Sequence, residues 1–276
     1  MNIDALRTLV AKRRSIRGYD ESREISDGAI QTILDVARWA PSCGNGQPWE
    51  FIVVRDPATR YKIADYYMKQ MERKREMDLA VRGAAKMTGD GFRRAPVHIV
   101  ILGDPRVKES YPIRTKLEKA ESHFITGLAN ATLLIHLAAT SLGLASQYVS
   151  DANSPYMETM LKVLLKIPEP LRIYHLVPIG YCKGNVVAPP RRSLEEIIHY
   201  ETYDMKKFRN DDQLAGFVRR ARCKAPMEER AERRGKNKIN RSEDTNAACA
   251  GDPAKYWVSD KPTDLVFRNG MGAMRV

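Results

Sequence analysis

The sequence Ala-Pro-Ser-Cys-Gly-Asn-Gly-Gln-Pro-Trp-Glu-Phe, residues 40–51, joins an amphipathic helix predicted over 26–39 to an apolar strand predicted over 51–54. A loop this rich in small, polar and turn-forming residues exposes backbone donors and an amide side chain in a fixed shape. Such a loop suits the binding of a polar planar ligand against a sheet. An ordinary helix-to-strand turn has a similar composition, so the loop does not decide the function without further motifs.

A basic cluster, Arg-Arg-Ser-Ile-Arg, lies upstream of this loop at residues 13–17. Guanidinium groups match phosphate oxygens in geometry and charge, so the cluster is a candidate phosphate site. Arginines are also favoured at helix C-termini, and a helix is predicted over 3–12. The cluster is therefore compatible with both a phosphate site and a solvated helix end.

With three later motifs, the loop and the basic cluster resemble the FMN-dependent nitroreductase superfamily. The later motifs are Gly-Leu-Ala-Asn-Ala at 127–131, Pro-Ile-Gly-Tyr at 178–181 and Pro-Arg-Arg-Ser-Leu-Glu-Glu at 190–196. The resemblance covers residues 1–204. It implies an α+β fold of three α/β/α layers, with a central mixed, mainly antiparallel sheet and a long buried helix at a dimer interface.

Hydrophobic spacing predicts the remaining elements. Further helices are predicted over 120–143, 155–166 and 193–200, and further strands over 97–102, 147–150 and 173–181. The helix over 193–200 is predicted from a capping box, in which Ser193 and Glu196 stand three residues apart. The charged, Met-rich residues 58–94 are helical in part, and the resemblance implies that they form a lid insertion over the flavin.

The chain of 276 residues carries a net charge of +12, which is unevenly distributed. Residues 205–276 contain 17 Lys and Arg against 10 Asp and Glu, and residues 1–204 contain 29 against 24. We predict an FMN-binding domain over 1–204 and a basic, polar C-terminal extension over 205–276. The apolar segments 256–258 and 265–267 suit docking of this extension on a partner subunit. Few aromatic residues are interleaved with its charge, which argues against nucleic-acid binding.

The cysteine and hydropathy patterns favour a cytoplasmic protein without membrane contact. The four cysteines have no paired spacing and form no zinc-type cluster with histidine, so no metal site is predicted. The apolar segment 124–145 is interrupted by Asn130 and His136, which favours a buried helix over a membrane span. The first residues do not have the pattern of a signal peptide.

The resemblance assigns the FMN contacts to three groups of residues. The first group binds the phosphate, the ribityl chain and the ring edge, and consists of Arg13, Arg14, Ser15, Arg17, Arg191 and Arg192. The second reaches the flavin of the opposite subunit, and consists of Pro41, Ser42, Cys43 and Asn45, with Gln47 as either a ring contact or a loop residue. The third lies beneath the ring, where a backbone N–H near Ser150 faces flavin N5, and consists of Val149, Ser150 and Asp151.

The leading hypothesis is an FMN-dependent oxidoreductase that takes hydride from NADH or NADPH by a ping-pong mechanism. The acceptor would be an electron-poor small molecule such as a nitroaromatic or a quinone, and the active unit would be a homodimer with shared sites. No Ser-His-Asp triad appears, and no side chain is assigned as catalytic. His98, His136 and His175 lie in apolar segments and are predicted to be core groups.

Three alternatives stay open on the residues alone. A reductive dehalogenase resembling iodotyrosine deiodinase would use lid residues such as Tyr66, Tyr67, Glu72, Glu76 and Lys86 to clasp a zwitterion. A flavin-cleaving enzyme like that of the cobalamin lower-ligand pathway is disfavoured by the asparagine at position 45. A flavin-binding regulator would contact nucleic acid through the basic extension.

Overall fold

The computed structural model describes residues 2–83, 89–184 and 188–222. The α-helices of this part are α1 (Ile3–Lys12), α2 (Asp27–Ala37), α3 (Pro57–Arg82), α4 (Ile113–Ser141), α5 (Pro155–Leu165) and α6 (Asp211–Arg222). The strands are β1 (Tyr19–Asp20), β2 (Trp49–Val54), β3 (Val97–Gly103), β4 (Ala145–Ser146) and β5 (Arg172–Cys182).

The strands form one sheet in the order β1-β5-β3-β2, and β4 also pairs with β5. The pairs β1–β5, β2–β3, β3–β5 and β4–β5 are antiparallel, while an isolated bridge between Ser15 and Ser146 is parallel. Every residue of β3 is buried. Because side chains alternate along a strand, a strand buried on both sides needs helices on both faces of its sheet.

The helices cover both faces of the sheet. On one face α2 and α4 contribute Ile33, Leu128 and Ile135 to a core that also contains Ile99 and Ile101 of β3. On the other face α3 and α5 contribute Ile63, Met157 and Leu161, together with the intervening β3 residues Val100 and Leu102. This arrangement confirms the predicted α+β fold in three layers.

Helix α4 is the long helix predicted at 120–143, and it begins seven residues earlier, at Ile113. Its small residues are used inside this chain, because Gly127, Ala131, Ala138 and Ala139 are all buried. By length and composition α4 could cross a membrane, yet half of its most apolar 18-residue window is buried within the protein. A core helix of a soluble protein has the same properties.

The predicted strand over 147–150 is wrong in position. The strand is β4, at Ala145–Ser146, and Val149 makes only an isolated bridge to Leu176. Tyr148 turns outward and is 40% exposed, and residues Ser150–Asn153 then form a 3-10 turn. The segment therefore follows β5 throughout, since the Gln147 N–H also donates to the Pro178 carbonyl at 3.3 Å, but its regular strand pairing ends at Ser146.

The predicted helix over 193–200 is also wrong. Its capping contact forms, since Ser193 Oγ accepts the Glu196 N–H at 3.4 Å, but only a turn follows. Leu194 and Ile197 are 66% and 46% exposed. Short helices draw most of their stability from burying an apolar face, so a cap without such burial does not hold a helix.

The exposed part of the predicted lid, residues 58–94, lies in its middle, because Phe92 near its C-terminal end is fully buried. The first half of α3 is a core helix, because Ile63, Ala64 and Tyr67 are buried against the sheet. From Arg73 onward the described side chains of α3 are mostly exposed, and residues 84–88 lie outside the described part. Among the described residues of the predicted lid, the segment 72–81 is therefore the largely exposed one.

The described residues beyond 204 pack against the preceding segment of the chain. Phe217 of α6 lines an open cavity of about 560 Å³ together with Ile197 and the segment 189–192. The apolar segments predicted to dock on a partner, 256–258 and 265–267, lie outside the described residues.

Candidate active site

Three arginines that the resemblance assigns to the FMN phosphate lie close together in the structure. The backbone leaves the helical conformation at Arg13, directly after α1, and the Arg13 side chain is partly buried. Burial, and then the charges of Arg191 and Arg14, lower the pKa of Arg13. Among the described residues Arg13 forms no ion pair with a carboxylate. Converging cations without a carboxylate partner fit a phosphate group.

Arg191 and Arg192 are adjacent in sequence but have different partners. One guanidinium nitrogen of Arg191 donates to the Pro189 and Pro190 carbonyls, each at 3.2 Å. Arg192 instead pairs with the Glu196 carboxylate at 3.1 Å and donates to the Glu196 carbonyl at 2.7 Å. The structure therefore favours Arg191 over Arg192 as the further phosphate contact.

Ser15 and Arg17 are held by backbone contacts rather than by their exposed side chains. The Ile16 N–H donates to the Ser146 carbonyl at 3.0 Å, which attaches the basic segment to β4. At Gly91 a Cβ atom would lie 1.8 Å from the Arg17 carbonyl oxygen. Only glycine therefore allows the chain at 91 to pass so close to Arg17.

The loop over 41–47 has an unusual backbone that is fixed by its own hydrogen bonds. Gly44, Asn45 and Gln47 have φ values of +56°, +52° and +43°, a region that non-glycine residues rarely adopt. Ser42 Oγ accepts the Gln47 N–H at 3.0 Å, so Ser42 braces the loop. The Gln47 side chain donates to the Asn45 carbonyl at 3.4 Å. A strained loop that its surroundings hold in place is typical of binding sites.

The loop attaches to the N-terminal half of α4, away from the arginine cluster. Asn130 Nδ2 donates to the Pro41 carbonyl at 3.0 Å, and a Cβ at Gly127 would lie 3.3 Å from Ser42. The charge of Arg13, in contrast, acts on His136, six to nine residues further along α4. At 1.5 Å per residue this separation is about 9–14 Å along the helix. Within one chain the two predicted halves of the site therefore lie at different levels of α4.

In the segment 149–151, the backbone N–H and carbonyl of Val149 already form hydrogen bonds. The Val149 N–H donates to the Leu176 carbonyl at 3.0 Å, and the Leu176 N–H donates back at 3.3 Å. Val149 is also 3% exposed, so neither its amide nor its side chain is free for a ligand. The structure shifts the candidate donor to Ser150 and Asp151, which begin the 3-10 turn.

Three residues of α3 lie near this segment. The sequence offered Tyr67 only as a residue of the halotyrosine clasp, and it did not single out Gln70 or Lys74. Burial and then the charge of Asp151 raise the pKa of Tyr67, while the charge of Arg17 opposes the increase. Tyr67 therefore lies within electrostatic range of both ends of the site. Gln70 and Lys74 follow on the same helix face and both bond to Asp151. Tyr67, Gln70 and Lys74 are spaced three and four residues apart, as expected for one helix face. This spacing was the one signal in the sequence, and the charged residues around it made it hard to recognise.

The three histidines of the core are neutral at physiological pH. Burial lowers the pKa of His98, His136 and His175 to about 4 in each case. His136 Nδ1 bonds Ser146 Oγ at 2.7 Å, and one ring nitrogen of each histidine has no hydrogen-bond partner among the described residues. Neutral buried rings fit their predicted role as core groups.

Four residues of the proposed halotyrosine clasp lie on α3, and two of them already have partners within the chain. Tyr67 is buried and packs edge-on against Phe92, with ring centroids 5.0 Å apart. Glu76 pairs with Arg73 on the same helix at 3.1 Å. Lys86 lies outside the described residues. Of the described clasp residues, Tyr67 is therefore directed into the core and Glu76 is engaged on its own helix.

Comparison with known proteins places this arrangement in a family. The model of the nitroreductase family matches residues 10–181. An Archaeoglobus fulgidus protein named as an NADH dehydrogenase/NAD(P)H nitroreductase is 34% identical over 177 residues, 64% of this chain and 85% of that protein. Rattus norvegicus iodotyrosine deiodinase 1 is 26% identical over 200 residues, covering 69% of this chain and 67% of that protein.

A solved structure agrees with the sequence matches. The FMN-dependent nitroreductase of Clostridium difficile R20291 is 26% identical, with a TM-score of 0.53, over 71% of this chain and 98% of that one. The family match covers more than half of the chain and includes the basic cluster, the strained loop and the segment 149–151. The chain belongs to the nitroreductase family.

Proposed function

We propose that the protein is an FMN-dependent oxidoreductase that uses NADH or NADPH to reduce an electron-poor small molecule. The observation that carries the proposal is the convergence of Arg13, Arg14 and Arg191, with no carboxylate of the described residues paired to Arg13. The Clostridium difficile relative is described as FMN-dependent, and the Archaeoglobus relative as an NAD(P)H nitroreductase. Both descriptions support the same cofactor and donor here.

The residues present fit FMN in distinct roles. Arg13 and Arg191 would hold the phosphate, and Arg17 and Ser15 would contact the cofactor further along. The Ser150 and Asp151 backbone N–H groups would donate to the ring, where a fixed donor stabilises charge that develops during transfer. Bound FMN supplies the redox chemistry, while the protein binds and orients it.

The acceptor we propose is a nitroaromatic, a quinone or a similar electron-poor molecule that enters the pocket after the oxidised nicotinamide leaves. None of the three buried histidines, His98, His136 and His175, is a charged proton donor near neutral pH, since burial lowers the pKa of each to about 4. The proton for the acceptor would therefore come from solvent or from the substrate itself.

Stopped-flow spectroscopy of the purified protein tests this proposal. We expect a yellow protein whose flavin absorbance is bleached rapidly by NADH or NADPH and restored by a nitroaromatic or a quinone, in two separable phases. Restoration by a halotyrosine but not by the other acceptors would support the dehalogenase alternative instead. A folded protein that does not bind FMN would contradict the proposal.

We also propose that the active unit is a homodimer that shares its sites. One support is the apolar stripe of α1, where Ile3, Leu6 and Val10 are 66%, 39% and 51% exposed and no residue of the helix is buried. A second is the separation of the loop over 41–47 from the arginine cluster within one chain. A partner would cover the stripe and bring its loop to the neighbouring cluster. We further infer that the enzyme is cytoplasmic, where the free thiols of Cys43 and Cys182 would stay reduced.

Mixing two inactive variants tests the shared site. An Arg13→Glu subunit and an Asn45→Asp subunit form a heterodimer in which one site has two native halves. Random exchange makes about half of the dimers heterodimeric, so activity should recover to about a quarter of the wild-type level.

The control for this experiment mixes Arg13→Glu with Arg191→Glu, since both changes fall in the same half of the site. No recovery is expected from that pair. Equal recovery from both mixtures, or none from the first while heterodimers are shown to form, would exclude the shared arrangement.

A further inference from the structure

One face of α3 connects the two ends of the proposed flavin site. Tyr67, Gln70 and Lys74 stand three and four residues apart, so they share a helix face. Tyr67 is 5% exposed and within electrostatic range of both Arg17 and Asp151. The face therefore lies alongside the segment that would contact the ring and close to the segment that would contact the ring edge.

The same face holds the turn at Asp151 by three contacts. Gln70, which is 6% exposed, donates from Nε2 to the Asp151 carbonyl at 3.4 Å and accepts from Ser154 Oγ. Lys74 Nζ forms an ion pair with the Asp151 carboxylate. The backbone and the side chain of Asp151 are thus both bound to α3.

We propose that Gln70 and Lys74 are positioning residues that hold the Ser150–Asp151 backbone toward the flavin and neutralise the Asp151 carboxylate, which tunes the potential of the bound FMN. This inference rests on the proposed function. The two residues, one buried and one half-exposed, would then have a role in the redox centre as well as in packing.

The direction of the expected change in the midpoint potential follows from the charges of Asp151 and Lys74. Hydride transfer from the nicotinamide adds two electrons and one proton to FMN, so the flavin gains one negative charge. An unpaired Asp151 carboxylate close to the flavin would disfavour that gain, and the Lys74 ammonium offsets the carboxylate. Because the side chains of Lys74 and Asp151 are 47% and 35% exposed, screening limits the effect and high salt should reduce it.

A double-mutant cycle on the FMN-bound protein tests the charge pair through the midpoint potential. Lys74→Met should favour oxidised over reduced FMN by about tenfold, which lowers the potential by about 30 mV for a two-electron couple. Asp151→Asn should raise the potential, and the double variant should return close to the wild-type value. Lys74→Arg keeps the charge and should leave the potential unchanged.

Lys69→Met is the matched control, because it removes the same charge from an exposed position about 140° around the same helix. A shift equal to that of Lys74→Met, or additive shifts in the double variant, would overturn the role of the charge pair. A wild-type protein that binds no FMN would overturn the proposed function and this inference together. An FMN-bound protein with an unmoved potential would overturn the inference alone.

Gln70→Met tests the tether without changing a charge. In the FMN-free protein, the backbone amides of residues 150–154 should exchange with solvent at least about tenfold faster, while exchange in the rest of the fold changes little. Unchanged exchange in this segment would show that Gln70 does not position it.

Discussion

Replacing Arg13 and Arg191 together by alanine is expected to weaken FMN binding by at least about a hundredfold. The two guanidinium groups lie close enough for the charge of Arg191 to lower the pKa of Arg13. A hydrogen bond to a charged group contributes roughly 1.5–3 kcal/mol, so two lost contacts amount to about 3 kcal/mol or more. At about 1.4 kcal/mol per tenfold change, that loss exceeds a hundredfold in the dissociation constant.

Fluorescence titration of the FMN-free protein with FMN measures this change. The matched control replaces Arg7 and Arg38, two exposed arginines already paired with Asp4 and Asp35 of their own helices, and should leave the affinity within about twofold. Removing like charges from the cluster should not unfold the chain, which a thermal melt can verify. An unchanged dissociation constant would place the phosphate elsewhere.

Gly91→Ala is expected to destabilise the protein strongly and to disturb the basic segment at the same time. The added Cβ would lie 1.8 Å from the Arg17 carbonyl oxygen and 2.9 Å from its carbon, so one of the two backbone segments must move. Overpacking of this kind costs about 3 kcal/mol. In a chain of this size that corresponds to a decrease of roughly 6–12 °C in the melting temperature.

Gly89→Ala is the control for this substitution, because a Cβ at position 89 would meet no atom within 4 Å. It should leave the melting temperature within about 1 °C. If Gly91→Ala displaces Arg17, its FMN affinity should also fall, whereas that of Gly89→Ala should not. Equal melting temperatures for the two variants would contradict the close approach of the chain at 91 to Arg17.

The family and the main elements were predictable because their signals are local. The capped and periodic segment of α2, the periodic segment of α5 and the apolar run of β3 indicate burial directly through the spacing of side chains. The basic cluster and the loop over 40–51 are also short motifs, so a few neighbouring residues are enough to indicate their chemistry. The two wrong elements, at 147–150 and 193–200, carried local signals that tertiary packing overrode.

The sequence by itself determined the α+β class, the family resemblance, and the presence of a basic cluster and a turn-rich loop, for which a phosphate site stays a prediction. The tertiary structure decided which of two adjacent arginines faces Arg13, because Glu196 engages Arg192 and leaves Arg191 beside the cluster. It also decided that Lys74 forms an ion pair with Asp151, which lies 77 residues away in the chain. Such pairings depend on how separate elements are packed against the sheet, and a contact between distant residues leaves no periodic trace in either segment.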